Sequence, residues 1–431
     1  MNSEQDSSNR GKKLFRLGYV CAFVGLIAVL TAGVAQAQVP DNIEAALLKI
    51  GPIVDPGCTA KIYRPLQAPG EVADQYLTME KTGKPSDQVP LYPGITIERD
   101  LSFGPNPKDV VDVFYADKGP ASRTVLIYIA GGAGNKIEIQ NKEANAFNDN
   151  IMRWATENGM VGVQMQRHGG APGAPPDFYA GAKDISAMLQ FVEANISKYH
   201  GNPDRIFVWA HSAGNGPLGI YTGHPELYGP KGIGVKGIVF MSGAFSILRP
   251  DGSNPVPTAA GGGRGAGAQG PQVGATCGAG PMNANDGAIP GKTEGQPGGP
   301  NPAAPAPAAG APAAGAPGGG GGGGRGGRAP IPQDELVKRS SLPALEKTDA
   351  RIFLASAEFD PGVVDGKPST FNQAFHDELC KLDGANAKDG KGHCPILMVM
   401  KRESHMSEPF SVNSGDRTVS APILAWIKST K

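Results

Sequence analysis

The chain has 431 residues with 40 basic and 40 acidic side chains, a balance that points away from a polyanion-binding protein such as a nucleic-acid or anionic-membrane binder. That length suits one large α/β domain or two modest ones. Its 62 glycines and 39 prolines exceed ordinary usage, and the excess sits in one segment.

The first residues read as an export signal. Arg10, Lys12, Lys13 and Arg16 form a basic start, Leu17 to Val34 is almost wholly apolar, and Ala35-Gln36-Ala37 supplies a small-x-small cleavage pattern. Cleavage after Ala37 leaves 36 basic and 38 acidic side chains, and a periplasmic or secreted protein with no stable membrane insertion is expected. The alternative is a retained anchor, because the apolar run approaches the minimum spanning length. Four cysteines follow: Cys58, Cys277, Cys380 and Cys394. An oxidising compartment permits disulfides. Cys380 and Cys394 flank a polar loop and are the favoured pair, and none of the four has a metal-ligand spacing in the sequence.

An N-terminal extension, 38–92, begins with a helix over Asp41 to Ile50, where Asp41 and Glu44 form a capping-box pattern. Ile95 to Glu98 and Val110 to Tyr115 alternate as an opening antiparallel pair at a sheet edge. Thr124 to Ala130 is a continuously apolar strand ending in Gly131-Gly132-Ala133-Gly134. Helices are expected over Glu143 to Asn158 and Tyr179 to Tyr199, the second with Ile185, Met188, Leu189 and Val192 on one face. Between them Met160 to Met165 is a strand.

Ile206 to Ala210 is another short apolar run, and it stops at His211-Ser212-Ala213-Gly214. This is the strand–turn–helix grammar of a nucleophile elbow, in which a strained serine stands above the sheet edge. Ala210 replaces the usual upstream glycine and adds a methyl at the crowded point. A helix after Ser212 and a strand over Val235 to Met241 continue the alternation.

Regular alternation implies an α/β fold with a mostly parallel central sheet and helices on both faces. The reading divides the mature chain into 93–253 and 333–431, interrupted by 254–332. That segment, nearly all Gly, Ala and Pro, buries too little apolar area to offset its ordering entropy and is expected to be a disordered insertion. After it come a strand over Arg351 to Ser356, a helix over Phe371 to Leu382, a strand over Ile396 to Met400 and a closing helix over Ala421 to Lys428.

A serine nucleophile needs a base, and the base needs an orienting group. Asp360 and His405 each follow a strand end, so both fall at the carboxyl edge of the sheet with Ser212. His168 is the rival base because it also follows a strand, and Glu358 is the rival acid. His200 and His224 fall in loops, where a solvated imidazole is the default; His376 sits within a helix and His393 precedes the last strand. Backbone N–H groups of the glycine turn and of Ala213 can serve as an oxyanion hole.

Together Tyr128-Ile129-Ala130-Gly131-Gly132-Ala133 and Asn202 to Gly214 resemble the carboxylesterase branch of the α/β-hydrolase superfamily, near the hormone-sensitive-lipase-like esterases. The chain departs from that pattern at Ala130, Ala210 and Ala357. The resemblance implies Ser212 as nucleophile, Asp360 as acid and His405 as base, with Gly132, Ala133 and Ala213 forming the oxyanion hole. It implies a small-molecule ester substrate and no metal or organic cofactor. The alternatives are amide hydrolysis by the same residues and a non-catalytic binding protein that keeps the fold.

Overall fold

A computed structural model describes residues 41–50, 59, 62, 63, 66, 92–132, 147–167, 177–257, 332–360, 363 and 365–430. All lie in one compact unit, Val39–Lys431. The expected export signal, Ala133, His168, Cys58, Cys277 and nearly all of the Gly/Ala/Pro segment fall outside the described residues.

The helices that frame the site are α1 (Asp41–Ile50), α2 (Phe147–Glu157), α3 (Ala180–Asn195) and α4 (Asn215–Gly223). Later in the chain come α5 (Gln333–Lys338), α6 (Leu342–Leu345), α7 (Thr370–Cys380), α8 (Ser407–Phe410) and α9 (Ser420–Ser429). The strands are β1 (Ile95–Ser102), β2 (Val110–Ala116), β3 (Arg123–Ile129), β4 (Val161–Met165) and β5 (Gly201–His211). The last three are β6 (Gly237–Met241), β7 (Arg351–Ala357) and β8 (Ile396–Met400).

They form one eight-stranded sheet in the order β1-β2-β4-β3-β5-β6-β7-β8. β2 runs antiparallel to β1 and β4, and every other pairing is parallel. Parallel strands covered on both faces must be apolar on both faces. On β5, Ile206, Val208 and Ala210 join the core beneath α3, α4 and α7, whereas Phe207 and Trp209 join the opposite core beneath α2 and α9. α3 buries Ile185, Met188, Leu189 and Val192 as their spacing predicts. Its last turn tightens into a 3₁₀ helix, Ile196–Tyr199, before His200 turns the chain with φ of 65°.

The N-terminal extension is part of this packing. Ile43 and Leu47 of α1 and Tyr63 bury with Phe410, and Phe359 and Met406 pack against them. The Tyr63 hydroxyl donates to Asp416 (3.2 Å), and Arg402 lies 3.3 Å from the Glu44 carboxylate. Phe359 precedes Asp360 and Met406 follows His405, so the extension rests against both loops that matter below.

Two expectations change. His224 is buried, not solvated: it packs edge-on against Phe178 and Tyr179, and its Nδ1 meets Glu226 at 2.9 Å. The described residues also extend past Asn254, with Val256 packed on the core. Among the described residues no helix is long and apolar enough to cross a membrane.

Candidate active site

β5 delivers Ser212 to the carboxyl edge of the sheet and α4 departs immediately, so the serine bears the whole change of direction. Its φ of +52° is the strained left-handed conformation expected of an elbow. Three glycines leave space for it. A Cβ on Gly214 would lie 2.6 Å from the Ile129 carbonyl oxygen, and one on Gly243 would lie 2.5 Å from the Ser212 carbonyl oxygen. One on Gly131 would lie 2.7 Å from the Ser212 Cβ. Asn215 secures the turn by donating to the carbonyl oxygens of Ser212 (2.9 Å) and Met241 (2.8 Å).

Asp360 follows β7 and His405 follows β8, as the strand ends predict. The Ser212 hydroxyl donates to His405 Nε2 at 2.8 Å, and His405 Nδ1–H donates to Asp360 Oδ1 at 2.8 Å. Because a carboxylate can only accept, the Asp360 contact fixes the proton on Nδ1 and leaves the Nε2 lone pair facing the hydroxyl. Both side chains are nearly covered, at 13% and 11% exposure for His405 and Asp360, so their attraction is little screened by water. The rival acid is engaged elsewhere: Glu358 accepts from Lys401 (2.9 Å) and from the backbone N–H of Arg402 (2.7 Å).

Gly131 stands against the elbow, where an added Cβ would also lie 3.2 Å from the His211 carbonyl oxygen. Ala213 stands in the first turn after the elbow, where backbone N–H groups lack intrahelical acceptors. Of the residues expected to form the oxyanion hole, Gly132 follows Gly131 in the glycine turn and Ala213 follows the serine in the chain. Arg167, which sequence reasoning missed, ties the glycine turn down. Its guanidinium donates to the carbonyl oxygens of Ala130 (3.2 Å) and Gly132 (3.0 Å). Burial pulls its pKa down, and the charge of Asp184 partly offsets this. Its position just past the end of β4, at the same sheet edge as the serine, was the available signal.

A second buried layer lies behind the histidine. His211 Nε2–H donates to the His405 backbone oxygen (2.8 Å), and the two rings lie 4.8 Å apart. Burial first, and the neighbouring His405 second, hold His211 well below the ordinary 6.5, so it acts as a neutral donor. Glu408 Oε2 is 3.8 Å from that ring nitrogen. Burial, then the Asp360 charge, push the Glu408 carboxyl well above its ordinary 4.5. On the far side of the loop the Ser407 hydroxyl bonds Glu403, a carboxyl likewise pushed up by burial and then by Asp416.

Chemically, the arrangement offers a hydroxyl hydrogen-bonded to an imidazole whose tautomer a carboxylate fixes.

The BD-FAE family model, that of an α/β-hydrolase-like family, matches residues 111–224, from β2 through the elbow and α4. Among solved structures, a truncated carbohydrate esterase from gut microbiota is 12% identical, covering 78% of this chain and 96% of its own, with a TM-score of 0.43. Esterase B of Lactobacillus rhamnosis, inhibited by a tributyrin phosphonate, is 15% identical with a TM-score of 0.31. That match covers 40% of this chain and spans about half, 55%, of the esterase. No curated protein matches. The sheet order and the family-model match place this chain in the α/β-hydrolase superfamily.

Proposed function

We propose that this protein is a serine carboxylesterase. The observation that carries the reading is the hydrogen-bonded chain Ser212–His405–Asp360 at the carboxyl edge of the parallel sheet. Ser212 Oγ attacks the ester carbonyl carbon as His405 Nε2 takes its proton. Asp360 holds the imidazole in register and stabilises the imidazolium. The carbonyl oxygen gains negative charge in the tetrahedral intermediate, and backbone N–H groups of Gly132, Ala133 and Ala213 receive it. His405 then protonates the departing alcohol, leaving an acyl-serine. Water attacks that acyl group by the reverse proton path and regenerates the hydroxyl.

Each step uses groups this chain supplies. Export belongs to the same reading: removal of 1–37 would release the domain outside the cytoplasm, with a mature N-terminus at Gln38.

The test is hydrolysis of short p-nitrophenyl esters by the purified chain. Turnover with a burst of p-nitrophenol, lost in Ser212→Ala, supports the reading. Absence of turnover across an ester library, or turnover retained in Ser212→Ala, removes Ser212 from the chemistry.

A further inference from the structure

Away from the triad, the fold brings together four side chains that share no motif in the sequence. His376 and Cys380 stand one turn apart near the end of α7, while Asp389 and Cys394 belong to the loop before β8. Cys380 and Cys394 are joined as a disulfide, the pairing expected from the loop they flank. Their sulfurs, His376 Nε2 and a carboxylate oxygen of Asp389 lie within 4.8 Å of one another.

The separations of the other donors resemble the edges of a coordination tetrahedron. His376 Nε2 is 3.3 Å from Cys380 Sγ, 3.7 Å from Cys394 Sγ and 3.2 Å from Asp389 Oδ1. Cys394 Sγ is 3.8 Å from Asp389 Oδ1. With ordinary zinc bond lengths to sulfur, nitrogen and oxygen, such edges run roughly 3.3–3.8 Å. The imidazole–carboxylate edge, at 3.2 Å, falls just short of that range, and the two sulfurs are far closer because they are bonded.

The imidazole is oriented for the task. Its Nδ1–H donates to Asp377 at 2.9 Å, leaving the Nε2 lone pair turned toward the sulfurs. A carboxylate behind a histidine in this way fixes the tautomer and raises the ring's basicity toward a metal.

The loop is also held by contacts other than the sulfur–sulfur bond. Asp383 accepts from the backbone N–H groups of His393 (2.9 Å) and Cys394 (3.0 Å), and Gly390 N–H donates to the Cys394 carbonyl (3.0 Å). His376 is mostly covered, at 14% exposure, but Asp389 is exposed at 61%, so an ion can enter from the Asp389 side.

We propose that His376, Cys380, Asp389 and Cys394 form a redox-gated site for zinc or a similar thiophilic divalent cation. Oxidised, the clasp is the disulfide. A dithiol reductant supplies two electrons and two protons, becomes a disulfide itself, and leaves two thiols here. The sulfurs then separate by roughly 1.7 Å, the difference between a disulfide bond and a tetrahedral edge. Zn²⁺ displaces both thiol protons and is held by two thiolates, one imidazole and one carboxylate. Either way, the end of α7 stays fastened to the approach of β8, the strand that carries His405.

The experiment is Co²⁺ titration of the full chain carrying Cys58→Ser and Cys277→Ser. One sample is oxidised; the other is reduced by a phosphine, whose oxidation to phosphine oxide supplies the same two electrons. The reduced protein is expected to bind one Co²⁺ per chain with thiolate charge-transfer and tetrahedral d–d bands, and Zn²⁺ should displace it. The oxidised protein is expected to show neither band. His376→Ala and Asp377→Asn are each expected to weaken Co²⁺ binding by about 10- to 100-fold. Melting of the reduced chain should rise on adding Zn²⁺, a readout that needs no variant to fold. Reduced protein without a charge-transfer band, an affinity untouched by His376→Ala, or a Zn²⁺-insensitive melting temperature overturns the site.

Discussion

A methyl group placed on Gly131 would lie 2.7 Å from the Cβ of Ser212. Real Cβ atoms essentially never come that close, so the backbone of the glycine turn lies against the serine with no room for a side chain between them. Gly131→Ala must push the turn away from the serine or the serine away from His405. The expected result is a fall in kcat of about 10²–10³-fold, the effect of losing an oxyanion donor, while the chain still melts cooperatively. Steady-state kinetics on a p-nitrophenyl ester beside a melting curve decide it. Wild-type kcat in this variant would separate the turn from the chemistry.

Arg167 holds that turn through the carbonyls of Ala130 and Gly132. Arg167→Met keeps the bulk of the stem and removes the donors. A displacement near 1 Å at the reacting centre costs about 10²-fold in rate, so kcat should fall by that order with KM changed less. Arg167→Lys should recover only part of the loss, since an ammonium cannot reproduce the planar fork. A lysine variant equal to wild type would reduce the contact to a matter of charge.

Glu408 makes stability depend on pH in a direction opposite to that of a paired surface carboxylate. Its folded pKa is raised well above 4.5 by burial and then by Asp360. Below that ordinary value the group is protonated in both folded and unfolded chains. Above it the unfolded chain ionises while the folded chain does not, so this contribution is lost as pH rises toward the folded value. Glu408→Gln removes the titration. The melting temperature of the variant relative to wild type should therefore rise as pH climbs through the window above the ordinary carboxyl value. A difference that stays flat across that window would show that Glu408 is ionised in the folded chain.

Leu47 of α1 is fully buried in the cluster that includes Phe410 and carries Phe359 and Met406 at its edge. Leu47→Ala should cost about 2–5 kcal/mol, the range for truncating a buried leucine. It should also lower kcat, because the residues that follow Phe359 and precede Met406 are the acid and the base. Denaturant unfolding and ester kinetics on the same preparation check both. Unchanged stability would detach α1 from the core.

Much of this was legible in the chain. The elbow was readable because an apolar run ending in Ser-Ala-Gly allows few backbone conformations. Asp360 and His405 were readable because parallel strands present their ends to one edge, so a polar residue just past a strand has a known destination. The opening pair β1 and β2 was betrayed by its alternation, and α3 by its apolar face.

What escaped depended on distance in the chain. Nothing local to Arg167 shows that its guanidinium reaches back 35 residues to Gly132. Tyr63 and Asp416 are separated by 353 positions, so only packing reveals their bond. Glu408 carries no local sign of burial, yet its side chain is fully buried. His224 looked solvated because the aromatic pair that covers it, Phe178 and Tyr179, lies more than forty residues upstream. The cluster around Cys380 escaped for the same reason: its donors come from the end of a helix and from a loop, with no spacing that marks them.

Phosphonylation of the serine tests the central claim most directly. The purified chain is treated with a fluorophosphonate, digested, and its peptides are read by mass spectrometry. One adduct is expected, on Ser212, formed rapidly in wild type and at least about 10²-fold more slowly in His405→Ala, the scale of a general base's contribution. No adduct on Ser212, or labelling at the same rate without the imidazole, would contradict a nucleophile activated by His405.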